Sequence, residues 1–173
     1  LTGSDDNAHG WESFRGNGGA DVIDGLGGTD QADYLSDAAG VTVDLSASYG
    51  IDGSGSTDTL INIENIRGSG YADTLTGDEK DNYIGGQYGA DIIDGGGGTD
   101  TVVYAEVMTE EFASAPAGVT VDLSANYGID GSGATDSLTS IENVRGSHYD
   151  DTITGDTGDN YLWGGDGNDI LSG

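Results

Sequence analysis

The sequence predicts an all-β chain wound as a parallel β-roll, a β-solenoid of short strands joined by glycine turns. Three observations predict it. A glycine-led pattern recurs every nine residues, with one large apolar residue in each period. The pattern is itself duplicated: Gly19-Ala20-Asp21-Val22-Ile23-Asp24-Gly25 returns as Gly89-Ala90-Asp91-Ile92-Ile93-Asp94-Gly95, and Gly40-Val41-Thr42-Val43-Asp44-Leu45-Ser46-Ala47 returns unchanged at 118–125. Glycine supplies 33 of the 173 residues, against one proline and no cysteine. That composition excludes a disulfide framework and thiolate metal sites.

The units follow one another along the chain. The opening unit, 7–15, is degenerate, with Gly10, Glu12 and Phe14. Units 16–24, 25–33, 86–94 and 95–103 keep a first Gly, a fourth Gly and a sixth Asp. Units 68–76, 77–85 and 146–154 keep the phase but carry Tyr71, Lys80 and Tyr149 in the fourth slot. Units 53–61 and 131–139 are looser, with Asp58 and Asp136. Unit 155–163 has Asn160 in the sixth slot, and Gly164-Gly165-Asp166-Gly167-Asn168-Asp169-Ile170-Leu171-Ser172 matches G-G-x-G-x-D-x-U-x in full. One module over 1–173 is expected, with copies at about 16–85 and 86–163 and a final unit at 164–173. The chain begins and ends inside the pattern, so a piece of a longer protein is expected. Copy-to-copy spacing lengthens across 104–117, which holds Pro116; a surface loop with a helical turn near Glu110 and Phe112 is expected there.

Each period divides into a turn and a strand. The eighth slot holds Phe14, Ile23, Ala32, Leu60, Leu75, Ile84, Ile93, Val102, Leu138, Ile153, Leu162 and Leu171 between two non-core positions, as in a half-buried strand. Glycine supplies the left-handed backbone the turn needs. Two periods close a rung of about 18 residues, and rungs stack at about 4.8 Å. Alternate turns then lie above one another on the same edge. Val41, Val43, Leu45, Val119, Val121 and Leu123 add to the core.

About a dozen in-phase units resemble the RTX, or haemolysin-type, calcium-binding repeat family. The Gly-Val-Thr-Val-Asp-Leu and Ile-Glu-Asn-Ile-Arg-Gly stretches are similar to those of its long-repeat members. The resemblance implies a bacterial module of a larger secreted protein. Such a module leaves unfolded through a type I secretion channel and folds at the cell surface or outside. RTX repeats accompany proteases, lipases and polysaccharide epimerases, and also adhesive and surface-layer proteins. Self-association or a surface polysaccharide is therefore a partner to consider.

The spacing carries its own argument for calcium. Asp plus Glu number 32 against 4 Lys plus Arg, a formal net charge of -28. Stacked turns place one sixth-slot carboxylate above the next, and that column repels itself unless cations separate it. Carboxylate and free carbonyl oxygens suit Ca2+. Zn2+ calls for His or Cys, and only His9 and His148 are present. Several calcium ions are expected, held by Asp21, Asp30, Asp58, Asp73, Asp91, Asp100, Asp136, Asp151 and Asp169. Asp166 and Glu12 join the expected ligands. So do turn residues Gly16, Gly18, Gly25, Gly27, Gly68, Gly86, Gly89, Gly95, Gly97, Gly98, Gly146, Gly155, Gly164 and Gly167. Asn82 and Asn160 are ligands or plain turn residues. Glu64 and Glu142 are ligands facing them or solvated edge residues. Counting same-edge neighbours gives the ladders Asp58-Asp73-Asp91, Glu64-Asn82-Asp100 and Asp136-Asp151-Asp169, and the pair Glu142-Asn160. Lys80 stands where the second copy has Gly158, and costs that turn its permissive glycine while placing an ammonium near the ion position.

The remaining features point to structure. Arg15, Arg67 and Arg145 each precede the first Gly of a unit, a placement suited to bridging carboxylates at a rung edge. Trp11, Tyr83, Tyr161 and Trp163 are edge packing or a sugar-stacking strip, the former expected. No H-E-x-x-H and no Ser-His-Asp set can be drawn from two scattered histidines, so no enzyme activity is expected in this segment. A polyanion is a poor partner for nucleic acid. No run of about 18 apolar residues marks a membrane span.

Overall fold

A computed structural model describes residues 1–3, 11–104 and 117–173. His9, Gly10 and the loop and helical turn expected between Tyr104 and Ala117 lie outside them, apart from those two flanking residues. Among the described residues the chain forms eighteen strands and one 3-10 turn, Leu123–Ala125. The nonapeptides feed two sheets in alternation, as a roll requires. One sheet holds β1 (Glu12–Phe14), β3 (Asp30–Asp33), β7 (Asn65–Arg67), β9 (Tyr83–Gly85), β11 (Thr101–Val103), β15 (Asn143–Arg145) and β17 (Tyr161–Trp163). Neighbours follow in that order and every pairing is parallel.

The second sheet holds eleven strands. They are β2 (Val22–Asp24), β4 (Thr42–Asp44), β5 (Tyr49–Ile51), β6 (Thr57–Ile61), β8 (Thr74–Thr76), β10 (Ile92–Asp94), β12 (Thr120–Asp122), β13 (Tyr127–Ile129), β14 (Thr135–Thr139), β16 (Thr152–Thr154) and β18 (Ile170–Ser172). Their order is β18-β16-β12-β13-β14-β10-β8-β4-β5-β6-β2. Each copy therefore replaces one strand by an antiparallel meander, β4-β5-β6 or β12-β13-β14. The meander runs back against the advance of the roll, so β6 returns to β2 while β4 meets β8. Ser48 and Asn126 turn the first hairpin of each at φ 59°.

Register puts the central apolar residue of each strand against that of the next, eighth-slot residues together with Ile66 and Val144. Ala32 stacks on Ile66, Ile84, Val102, Val144 and Leu162 in one sheet, and Leu75 on Ile93 and Leu138 in the other. The core is this double column, with Ile23, Ile84, Ile93 and Ile153 at most 1% exposed. Phe14 and Leu162 are only partly buried, and Leu171, on the one-sided strand β18, is 47% exposed.

The two extra strands of each meander widen one wall, and a tyrosine fills the gap. Tyr34 and Tyr104 follow β3 and β11 and pass beneath Gly50 and Gly128, where any Cβ would collide with the phenol oxygen. Tyr34 donates to Asp58 Oδ2 at 3.1 Å and Tyr104 to Asp136 Oδ2 at 2.9 Å. Burial, then the facing carboxylate, pushes both phenols well above the ordinary range, so both stay donors. Tyr34→Phe leaves a buried carboxylate oxygen unpaired and is expected to cost about 1–3 kcal/mol. Thermal melts in saturating calcium test this, with exposed Tyr71→Phe as the unaffected reference; equal melts would remove Tyr34 from the frame.

Candidate metal centre

The turns of the roll collect on two edges, and each edge carries a column of sixth-slot residues. On the edge leading into the eleven-stranded sheet, main-chain N–H groups tie each acid to the next rung. Asp21 N donates to Asp58 Oδ1 at 2.9 Å, Asp73 N to Asp91 Oδ1 at 2.9 Å, Asp91 N to Asp136 Oδ1 at 3.0 Å and Asp151 N to Asp169 Oδ1 at 3.0 Å. The expected ladders Asp58-Asp73 and Asp136-Asp151 do not form. The meander interposes β5 and β4 between β6 and β8, so Asp58 meets Asp21 and Asp136 meets Asp91. Asp73 and Asp151 instead accept from Val41 N and Val119 N, at 2.8 and 2.7 Å.

The opposite edge keeps its expected order. Glu12 pairs in register with Asp30. Asp30 N donates to Glu64 Oε2 at 3.1 Å, Asn82 N to Asp100 Oδ1 at 2.8 Å and Asp100 N to Glu142 Oε2 at 2.8 Å. Asn82 and Asn160 face Glu64 and Glu142 through their amide nitrogens, which donate to the glutamate carbonyls at 2.8 and 2.9 Å. Their amide oxygens cap their own turns, accepting from Asp78 N and Asp156 N, each at 2.8 Å.

The carboxylates fall into two kinds. Asp58 and Asp136 are held at both oxygens, by tyrosine and by main chain. Asp73 and Asp151 are held as fully, because Ser69 and Ser147 donate both hydroxyl and N–H to them. Asp30, Asp91 and Asp100 differ: each is 1% exposed, and the Oδ2 of each is buried with no hydrogen-bond partner among the described residues. Burial, then neighbouring acids, pushes Asp91 up to about 8, and Asp30 and Asp100 up to about 6. A buried carboxylate whose second oxygen has no donor is costly to keep ionised unless a cation neutralises it.

The glycine cradles fit the same need. A Cβ on Gly25 would press on Asn62 O and Asp30 Oδ2, and one on Gly95 would press on Ser140 O and Asp100 Oδ2. At Gly86 it would press on Asp91 Oδ2. Gly68 and Gly146 bring Asp73 and Asp151 beside the carbonyls of Gly86 and Gly164, while Gly16, Gly155 and Gly164 lie against Asp21, Asn160 and Asp169. Fourth-slot Gly89, Gly98 and Gly167 lie on the main chain of Tyr71, Lys80 and Tyr149. Gly97 faces Glu79 and Gly18 faces Ser54, whereas Gly27 meets open space. Among the described residues no three Asp, Glu or His side chains gather as a ready-made cage. A cation here draws on main-chain oxygens as well as carboxylates, a donor set that suits Ca2+.

The cations are placed individually. Arg15 bonds Asp33 Oδ2 at 2.6 Å, with Arg67 at 3.8 Å on the same carboxylate. Arg145 instead covers the Trp163 ring, 4.2 Å from its centroid. Lys80 reaches Glu64 Oε1 at 3.0 Å, and that carboxylate holds its ammonium above the usual lysine range. His148 Nδ1 lies 3.1 Å from Asp166 Oδ2. Trp11 packs edge-on against Tyr83, and Tyr161 remains exposed. The serines and tyrosines that complete the acids escaped the sequence reading. A signal existed for the serines, since Ser69 and Ser147 occupy the second slot just where Tyr71 and Tyr149 displace the fourth glycine.

A family model described as the RTX calcium-binding nonapeptide repeat (4 copies) matches residues 10–37, 67–102 and 145–173. No curated protein matches the chain.

Proposed function

Because the chain belongs to the RTX calcium-binding nonapeptide-repeat family, we propose that it is a non-catalytic module of a larger secreted protein, built to fold on calcium outside the cell. The observation that carries this reading is the set of buried, unpartnered oxygens on Asp30, Asp91 and Asp100 in a chain of net charge -28. Those three residues would hold calcium, with Asp21 and Asp169 and with carbonyl oxygens of the glycine turns. Bound there, the ion supplies charge neutralisation and joins one rung to the next. Asp58, Asp73, Asp136 and Asp151 serve as struts, since the protein itself satisfies their oxygens. Where calcium is scarce the acids repel and the chain stays open; at extracellular calcium it closes. Extracellular calcium modules bind at about 10⁻⁴–10⁻³ M.

The test is a calcium titration followed by far-ultraviolet circular dichroism. Each site at ten times its dissociation constant contributes about 1.4 kcal/mol, and rungs sharing one core respond together. A steep transition is expected, with a Hill slope well above one. A hyperbolic curve with slope near one would argue against coupled rungs.

A further inference from the structure

The two copies build the same frame around one edge position and fill it differently. In the first copy Asp78 Oδ1 accepts Lys80 N at 2.9 Å; in the second Asp156 Oδ1 accepts Gly158 N at 2.8 Å. The Asn82 amide reaches Glu64 O and Asp78 Oδ1 at 2.8 and 3.2 Å. Asn160 reaches Glu142 O and Asp156 Oδ1 at 2.9 and 3.0 Å. Glu64 and Glu142 each accept a main-chain N–H from the preceding aspartate turn through Oε2. Contrary to the sequence expectation, this turn does not need glycine: neither Lys80 nor Gly158 has a positive φ.

The occupant differs, and so do three flanking residues: Ser48, Asn62 and Glu79 of the first copy are Asn126, Ser140 and Thr157 in the second. In the first copy the Lys80 ammonium sits between the carboxylates, 3.0 Å from Glu64 Oε1 and 4.0 Å from Asp78 Oδ2. In the second, Glu142 and Asp156 line a cavity of about 90 Å³ with Ser140 and Asn126, over an apolar floor of Leu123, Leu138 and Ile141. The chain has four cationic side chains, and the other three are engaged at Asp33 and Trp163. Among the described residues no cationic side chain therefore reaches the acids of this second position, whereas the matching acids of the first hold one.

We propose that Lys80 is a tethered cation that takes the place of a calcium ion in the first copy, and that the matching position at Glu142 and Asp156 takes a free divalent cation, calcium by its oxygen donors. The proposal rests on the calcium reading above. An ammonium and a divalent ion cannot share so small a space, because like charges at close range repel. The Lys80 pair is half-exposed and worth little stability on its own, so its signature is the number of ions bound.

Native mass spectrometry of the full chain in calcium counts them. Lys80→Gly is expected to bind one ion more than the wild type. Gly158→Lys is expected to bind one fewer, the negative φ accepting a side chain without strain. If Lys80→Gly folds poorly, Lys80→Ala opens the same space and is read instead. Unchanged counts in both directions would overturn the proposal while leaving the calcium module intact, as would a Gly158→Lys chain that no longer folds in saturating calcium. A wild-type chain that binds no calcium would overturn the module reading itself.

Discussion

In excess chelator at neutral pH the chain is expected to lose its strand signal and expand to a coil, and millimolar calcium is expected to restore both. This is the largest effect foreseen, because two costs coincide in the ion-free roll. The net charge of -28 repels itself more as the chain compacts. Asp30, Asp91 and Asp100 also bury oxygens that no group among the described residues satisfies. Folded domains are stable by only about 5–15 kcal/mol. Several ions, each contributing about 1.4 kcal/mol at ten times its dissociation constant, reach the lower part of that range. Far-ultraviolet circular dichroism and size-exclusion chromatography, with and without chelator, check it. Magnesium should substitute poorly, since it prefers octahedral geometry and gives up water reluctantly. A chain with equal strand content in chelator and in calcium would remove metal-driven folding from the account.

The roll was legible because its signal is local and repeated. Each eighth-slot residue announces a strand, and Ala32, Ile84, Val102 and Leu162 do stack in one column. The same count placed Glu64 opposite Asn82 and Glu142 opposite Asn160, and the two pairs meet. The meanders were not legible, since Asp58 and Asp136 keep the period while their strands reverse the advance of the roll. The contacts that accompany that reversal are non-local: Gly50 and Gly128 leave room for Tyr34 and Tyr104, which are distant in sequence. Ile66 and Val144, buried in β7 and β15, were missed because those segments lack the leading glycine. The proposed struts and the proposed ligands share one slot, so sequence could not separate them. The separation depends on whether a serine or tyrosine hydroxyl reaches the carboxylate.

Asp91→Ala is expected to be the most damaging single exchange at the proposed ligands. Strand β10 pairs with β8 of the first copy and β14 of the second, so Asp91 stands at their junction. Its Oδ1 accepts Asp73 N at 2.9 Å and its own N–H goes to Asp136 Oδ1 at 3.0 Å. Truncation strands the buried Asp73 N–H, at about 1–3 kcal/mol, and removes a proposed ligand as well. The calcium midpoint should rise about tenfold or more, since 1.4 kcal/mol is a factor of ten, and one steep transition should split as the copies uncouple. Asp91→Asn separates the two contributions: its amide oxygen can keep the Asp73 bond while the charge is lost. A midpoint close to that of the alanine variant assigns the effect to the ion, and one close to wild type assigns it to the hydrogen bond. Asp159→Ala is the reference, because Asp159 is exposed; Asp37, outside the nonapeptides, is unsuitable because it accepts Gly53 N at 3.0 Å. Equal midpoints for Asp91→Ala and Asp159→Ala would leave bulk charge as the only factor and defeat the assignment of Asp91.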